Sequence, residues 1–403
     1  MKNNYENTKV AVRGVNLHSL AAEIRYKNRL DLCLIKIESQ SYSVVRFTKN
    51  RFPAAPVTIS KRHLKITEPK YFLINAGNAN AATGQRGETD TINICQALST
   101  LAGCAREEVL MFSTGVIGEL LPASKIISCL PKLFEVSTQS GWIEAARAMM
   151  TTDTFPKIVA KEFELSGNRY SLVGICKGSG MIQPKMATML AFVATDLPLS
   201  RKALELISEV ALSQSFNTIT VDGETSTNDA FTLISTNPEN TSLIDIDDPS
   251  FELAQSLISD CCKELALNIV NDGEGATKVV NIKVKGAWSD EEAKIIASSV
   301  ANSLLVKTAI FAEDPNWGRI FSAVGASGAE NIEQSKINIF IGGVEICHYG
   351  KAVEQFDESE VKTIMRSRNF DILIELNSGY SSTDTWTCDL SYDYKKINAE
   401  YRS

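Results

Sequence analysis

The sequence predicts an α+β fold on three observations. Short β-rich runs and helical periodicities are interspersed along the chain, they do not keep the strict strand-helix-strand alternation of a doubly wound sheet, and no internal repeat or low-complexity linker interrupts them. With 403 residues, 44% apolar and 22% charged, the composition is that of a globular protein with enough hydrophobic surface for roughly two or three compact units.

Residues 31–39 (DLCLIKIES), 43–48 (SVVRFT) and 71–80 (YFLINAGNAN) read as strands, because β-branched and aromatic residues suit a pleated surface. A helix is predicted over 89–102, closed by Gly103 in the position where a left-handed residue ends a helix. EEVLMFSTGVIGE reads as a strand running into a glycine turn, and Trp142 to Met150 as a helix that stops before Pro156. Residues 169–176 and 189–195 are apolar strands separated by a glycine- and proline-containing segment. Helices are expected at 201–213 behind Ser200 and at 250–266 behind Asp248-Pro249. In WSDEEAKIIASSVANSLL, Ser289 and Glu292 have capping-box spacing, and EDPNWGR reads as a packed turn with Asp314 as its cap and Trp317 covering the core. Later strands are 336–342 and 371–377, and 235–250 reads as a surface loop.

Charge and residue usage exclude several functions. The net charge of −7, from 41 basic and 48 acidic residues, provides no basic field for a nucleic-acid backbone. The first residues, MKNNYENTKV, lack the apolar core of a signal peptide, and no run reaches bilayer-spanning length, so a cytoplasmic location without a membrane partner is expected. Nine cysteines without a Cys-x-x-Cys pair, one adjacent pair being Cys261-Cys262, read as reduced thiols. His18, His63 and His348 have no second ligand at metal-site spacing, and no metal site is expected.

KGSGMIQPKMATMLAFVATD, residues 177–196, carries the most chemistry. A threonine hydroxyl attacks a carbonyl only once a base takes its proton, and no histidine lies near Thr188 in sequence. If the Ala187-Thr188 bond breaks, the freed α-amine, with an ordinary pKa of about 7.7–8.0, sits on the same residue as the hydroxyl and can serve as that base. Gly178 and Gly180 permit close backbone bending, Pro184 restricts the approach, and the β-branched Thr188 has a narrow χ1 that aims its Oγ. Read locally, a glycine turn feeding a buried strand accounts for the same residues, and an isolated motif of this size is more often that.

KGSGMIQPKMATML nevertheless closely resembles the self-cleaving signature of the glutamate N-acetyltransferase family, the ornithine acetyltransferases of arginine biosynthesis, which are cut between Ala and Thr. The resemblance extends in order through NAGNANAATG (75–84), FSTGVIGELLP (112–122), MTTDTFPK (150–157), TVDGETSTND (220–229), NDGEGATK (271–278), KTAIFAEDPNWGRI (307–320) and the terminal INAEYRS. It implies a layered α/β/β/α-type sandwich with a smaller C-terminal α/β domain. It also implies an α chain of residues 1–187 and a β chain of 188–403 that stay intertwined and pair as α2β2. The expected folding units are about 1–198, 199–283 and 284–403.

For the site, the resemblance implies Thr188 as nucleophile and Thr114 with Gly115 as oxyanion donors. It implies Thr152 (with Thr151 and Thr154 as alternatives), Lys177, Glu274, Asn398 and Ser403 as substrate contacts, Lys177 for an α-carboxylate and Glu274 for an ammonium group. Without it, Lys177 would be a solvated strand end and Glu274 an exposed loop acid. Asp222, Glu224 and Asp229 read as loop-holding residues, and Asn78 and Asn80 as shaping the oxyanion loop. The implied reaction is ping-pong acetyl transfer from N2-acetylornithine to L-glutamate without metal or organic cofactor, and some members of the family also take acetyl-coenzyme A as donor. The alternatives are an aminopeptidase or amidase using the same N-terminal threonine, and an uncut amino-acid-binding protein.

Overall fold

A computed structural model describes residues 10–38, 40–135, 141–183 and 189–401. The chain divides into two compact units, one running to residue 217 and resuming over 225–269, the other formed by 218–224 and 270–403.

The first unit contains β1 (Val15–Leu20), β2 (Leu32–Ile37), β3 (Tyr42–Phe47), α1 (Ala55–His63), β4 (Tyr71–Asn75), α2 (Gly84–Ala102), β5 (Val109–Ser113) and α3 (Ala123–Glu135). It continues with α4 (Trp142–Met149), β6 (Lys157–Leu165), β7 (Asn168–Lys177), β8 (Leu190–Thr195), α5 (Arg201–Gln214), β9 (Ala230–Ser235) and α6 (Phe251–Asn271). Its strands form a sheet of order β1-β2-β4-β5 and a second of order β3-β9-β8-β7-β6. Strand alternation explains how they stack. In β4, Phe72 and Ile74 point into a core shared with Phe192 of β8 and Ile175 of β7, while Tyr71 and Leu73 point the other way onto Ile94 and Leu98 of α2 and Ile126 and Leu130 of α3. On the outer face of the second sheet, Gly174 of β7 lies under Leu265 and Cys261 of α6. The first unit is therefore an α/β/β/α sandwich, the layering implied by the family resemblance.

Phe112, two residues before Thr114, sits at the middle of this sandwich. Its ring lies 6.3 Å from Phe47 and from Phe72, and edge-on to Phe192 at 5.1 Å. The end of β5 is thus held against β8 by aromatic packing.

The second unit comprises β10 (Val279–Ala287), α7 (Asp290–Asn302), α8 (Leu304–Phe311), α9 (Trp317–Gly325), β11 (Asn338–Ile341), β12 (Val344–His348), β13 (Lys351–Ala352), α10 (Glu358–Arg366), β14 (Asn369–Glu375), β15 (Ser381–Cys388) and α11 (Tyr392–Glu400). Its sheet has the order β13-β12-β11-β14-β10-β15, with β10 parallel to β14. One face packs Ile282 and Val284 against Ile296 and Val300 of α7, and the other carries polar pairs such as Lys283 with Asp371 at 2.6 Å.

Two units form instead of the three expected. β9 is hydrogen-bonded between β3 and β8 inside the first sandwich, and β10 is interior to the second sheet, so residues 199–283 are divided between the two units. The local signals at Ser200 and Gly103 operate as expected: the Ser200 side chain accepts from Ala203 N, and Gly103 ends α2 with φ 64°. The capping box is half formed. Ser289 accepts from Glu292 N at 3.2 Å, but the Glu292 carboxylate takes the N–H groups of Trp288 and Asn331 instead of returning to Ser289. Asn316, not Asp314, caps α9 by accepting from Arg319 N, while Asp314 accepts from Asn316 Nδ2 at 3.0 Å. Trp317 is partly buried against the core, edge-on to Phe321. All nine cysteines are free thiols. Among the described residues, no single helix is long and apolar enough to cross a membrane.

Candidate active site

β4 and β5 are parallel and end side by side at Asn75 and Ser113, so the loops NAGNAN and STG leave the same edge of the sheet. Polar side chains stitch these ends together. Ser113 Oγ donates to Asn75 Oδ1 at 2.5 Å, Asn75 Nδ2 to Asn78 O at 2.9 Å, and Thr114 N to Asn75 O at 3.0 Å. Asn78 is bridged to both Thr114 and Val116, with its Oδ1 accepting Asn80 N at 2.7 Å and its Nδ2 donating to Glu119 O and Leu120 O. These bonds give Asn78 and Asn80 the loop-shaping role expected of them.

Gly115 is demanded by this packing. Its φ is +135°, and a Cβ there would overlap the Gly77 carbonyl carbon and the Asn78 nitrogen. The turn presents the Thr114 hydroxyl and the Gly115 N–H, neither of which has a hydrogen-bond acceptor among the described residues. A hydroxyl and a backbone N–H left uncommitted on one rigid turn are suited to meet developing negative charge.

A second clasp joins the TTDT and KGSG segments. Thr152 and Ser179 share a hydroxyl–hydroxyl bond of 2.7 Å. Asp153 Oδ1 accepts from Gly178 N at 2.7 Å and from Lys157 Nζ at 2.6 Å, and its Oδ2 accepts from Thr151 N at 3.0 Å. The Asp153–Lys157 pair is fully buried. Burial alone would raise the Asp153 pKa, but the charges of Lys157 and Lys177, with the hydrogen bonds from Lys157 and Gly178, outweigh it and hold the carboxyl well below the usual carboxylate range. Lys177, half-buried, is the last residue of β7 and faces Leu190 across the β7–β8 ladder.

Ala187, Thr188 and Ser403 lie outside the described residues. The described neighbours of the first two are tied to the segment that leads into β9: Thr225 Oγ1 donates to Gln183 O at 3.2 Å, and Ala230 N to Met189 O at 2.9 Å. Leu190 pairs with Lys177 on one side and Ala230 on the other. The first unit therefore collects Thr114, Gly115, Thr152 and Lys177 on the elements around the start of β8.

In the second unit, Glu274 and Asn398 meet directly. Asn398 Nδ2 donates to Glu274 Oε2 at 2.7 Å, and Glu274 is buried where the sequence alone allowed an exposed loop acid. The NDGEG loop is fastened to the start of α11: Ser391 caps the helix through Asp393 N and donates to Gly275 O at 2.6 Å. Gly275 has φ +69°, and a Cβ would strike Ser391 Oγ and Tyr394 N. Tyr394 donates to Asp222 Oδ2 at 3.2 Å. Its phenol is pushed above the ordinary value, first by burial and then by the nearby charges of Asp222, Glu274 and Glu224. Asp222 also accepts Glu224 N, a loop-holding contact of the expected kind.

Asn75, Asp153, Lys157 and Ser179 were not singled out from sequence. Each sits inside a quoted motif; Asn75, Asp153 and Ser179 bond to segments far along the chain, for which no local pattern exists, whereas Lys157 pairs with Asp153 four residues before it, a spacing present in the sequence itself.

The ArgJ family model matches residues 16–403. The arginine biosynthesis bifunctional protein ArgJ of Methylococcus capsulatus is 45% identical over 392 residues, covering 97% of this chain and 96% of that one. The protein of the same description from Psychrobacter arcticus is 43% identical over 393 residues, covering 97% of each. Among solved structures, arginine biosynthesis bifunctional protein argJ from Bacillus halodurans aligns at 36% identity over 53% of this chain and 99% of that one, with a TM-score of 0.49.

Proposed function

This chain belongs to the ArgJ family, and on that premise we propose that it moves the acetyl group of N2-acetyl-L-ornithine to L-glutamate in arginine biosynthesis, through an acetyl-enzyme on Thr188. The observation that carries this reading is the setting of β8. The strand that follows Thr188 is held between the end of β7 at Lys177 and the start of β9, in the unit that also bears the uncommitted donors of Thr114 and Gly115.

The chain first cuts itself. Thr188 Oγ attacks the Ala187 carbonyl carbon, the C–N bond breaks as the acyl group passes to oxygen, and water hydrolyses the ester, leaving Ala187 with a carboxylate and Thr188 with a free α-amine. That amine takes the hydroxyl proton when Oγ attacks the acetyl carbonyl of N2-acetylornithine. The Thr114 hydroxyl and Gly115 N–H support the oxyanion. Collapse breaks the C–N bond, the amine returns the proton to the ornithine leaving group, and glutamate's amino group then attacks the Thr188 ester by the reverse steps.

Lys177 pairs with the substrate α-carboxylate, and Thr152 contacts substrate from the clasp it shares with Ser179. Glu274 keeps one oxygen on Asn398 and offers the other to a substrate ammonium, with Asn398 and Ser403 as further contacts. No metal or organic cofactor enters these steps. The second activity, in keeping with the bifunctional designation of the relatives, is acetylation of glutamate from acetyl-coenzyme A. The two fragments, 1–187 and 188–403, work in the cytoplasm as α2β2.

Intact mass spectrometry tests this reading. Purified protein incubated with N2-acetylornithine should resolve into two fragments, with an acetyl-sized increase on the 188–403 fragment that disappears when glutamate is added. Thr188→Ala should remain a single 44.1 kDa chain. Cutting retained in that variant would remove Thr188 from the mechanism, and acetyl release without glutamate would mark a hydrolase instead.

A further inference from the structure

In the segment TVDGETSTND, Asn228 makes bonds that are unusual for a turn residue. Its side chain is buried, 6% exposed. One Nδ2 donates to two carbonyls on separate segments, Ala79 O in the loop after β4 at 2.6 Å and Ser113 O at the end of β5 at 2.9 Å. Its Oδ1 accepts the Thr227 hydroxyl at 2.6 Å, which sets the amide orientation, since the flipped amide would put oxygen against two carbonyl oxygens.

The two carbonyls flank the oxyanion turn. Ser113 O belongs to the peptide whose N–H is Thr114's own, already bound to Asn75 O, so Asn228 completes the clamp on both ends of that peptide plane. Ala79 N in turn donates to Val116 O at 3.0 Å, just beyond Gly115. Two residues after Asn228, Ala230 N holds Met189 O at the start of β8. One short segment thus ties the donors of Thr114 and Gly115 to the strand that begins after Thr188.

Resting on the acetyl-transfer reading, we infer that Asn228 is a positioning residue for the reaction: it sets the Thr114-Gly115 oxyanion turn against the strand that begins after the nucleophile, without touching substrate. Donors that stabilise an oxyanion act through placement, and a displacement of about 1 Å costs on the order of 100-fold in rate. Losing the clamp should therefore lower kcat while leaving substrate binding in place.

The test compares wild type, Asn228→Ala and Thr227→Val as cleaved, purified enzymes. Measured quantities are the melting temperature, acetyl labelling of the 188–403 fragment by intact mass, and kcat and KM for transfer from N2-acetylornithine to glutamate. Asn228→Ala should lose about 10- to 100-fold in kcat with each KM within about twofold. Thr227→Val, which removes one hydroxyl at nearly constant volume, should lose about 3- to 10-fold in the same pattern. If Asn228→Ala does not yield cleaved, folded protein, Thr227→Val decides. Variants with kcat within about twofold of wild type, or with the loss in KM, overturn the inference. A wild-type enzyme that takes no acetyl group overturns the acetyl-transfer reading and this inference with it.

Discussion

Replacing Lys157 by methionine removes the cation from a pair in which Nζ and Asp153 Oδ1 lie 2.6 Å apart with both side chains fully buried. The Asp153 carboxylate would keep the N–H groups of Thr151 and Gly178, at 3.0 and 2.7 Å, but lose its closest positive charge. Removing one partner of a buried pair costs about 3–5 kcal/mol, because the remaining charge is left in a medium that solvates it poorly. That is a large fraction of the ~5–15 kcal/mol by which domains are stable. Urea unfolding midpoints for wild type, Lys157→Met, Asp153→Asn and the double variant measure the effect. Each single change should be strongly destabilising, and the double variant should regain much of the loss, since it leaves no charge without its partner.

The pH dependence has a definite sign. Because the folded Asp153 pKa lies below its unfolded value near 3.9, the pair's stabilisation is fully present above that value and is lost as pH falls below it toward the folded pKa. Wild type should therefore lose stability below about pH 4 more steeply than Asp153→Asn. Lys157→Met within the ~0.5 kcal/mol scatter of surface substitutions, or parallel acid profiles for wild type and Asp153→Asn, would refute the reasoning.

Gly115→Ala should leave a soluble protein with kcat lowered about 100-fold or more, read from acetyl transfer, because a Cβ at φ +135° meets the Gly77 and Asn78 backbone and displaces the oxyanion donors. Glu274→Gln keeps an acceptor for Asn398 Nδ2 but loses the charge, so KM for N2-acetylornithine should rise about 10-fold with the melting temperature unchanged. Ser391→Ala removes both the α11 cap and the bond to Gly275 O, and should cost about 1 kcal/mol in thermal or urea unfolding.

Elements with their own local signal were legible in the sequence. The helix behind Ser200, the glycine stop at Gly103 and the apolar runs of β2, β7 and β8 carry their signals within a few residues, and the structure builds them at those places. β9 was missed although all six of its residues are buried, because AFTLIS lies inside a polar turn region and becomes a strand only by pairing with β3 and β8. β15 was missed for the opposite reason. Only two of its eight residues are buried, and it is stabilised by its ladder with β10 and by α7. Glu292 shows a local rule overridden: the side chain predicted to return to Ser289 finds Asn331 N at 2.8 Å, a partner 39 residues away.

What the sequence by itself determined is the chemistry available: Thr188 behind Ala187, a hydroxyl and a glycine at Thr114-Gly115, a cation at Lys177 and an acid at Glu274. These are covalent facts about side chains, and the order of the surrounding motifs was enough to identify the family. The tertiary structure alone decided which groups are committed and which are left available. Asp153 is a buried counter-ion only because β6 and β7 bring Lys157 and Gly178 to it, and Asn228 is a clamp only because the β9 segment crosses the ends of β4 and β5. The physical reason is that a hydrogen bond or ion pair depends on the distance between two groups, and groups about 115 residues apart in the chain, as Asn228 and Ser113 are, acquire that distance only when the sheets close.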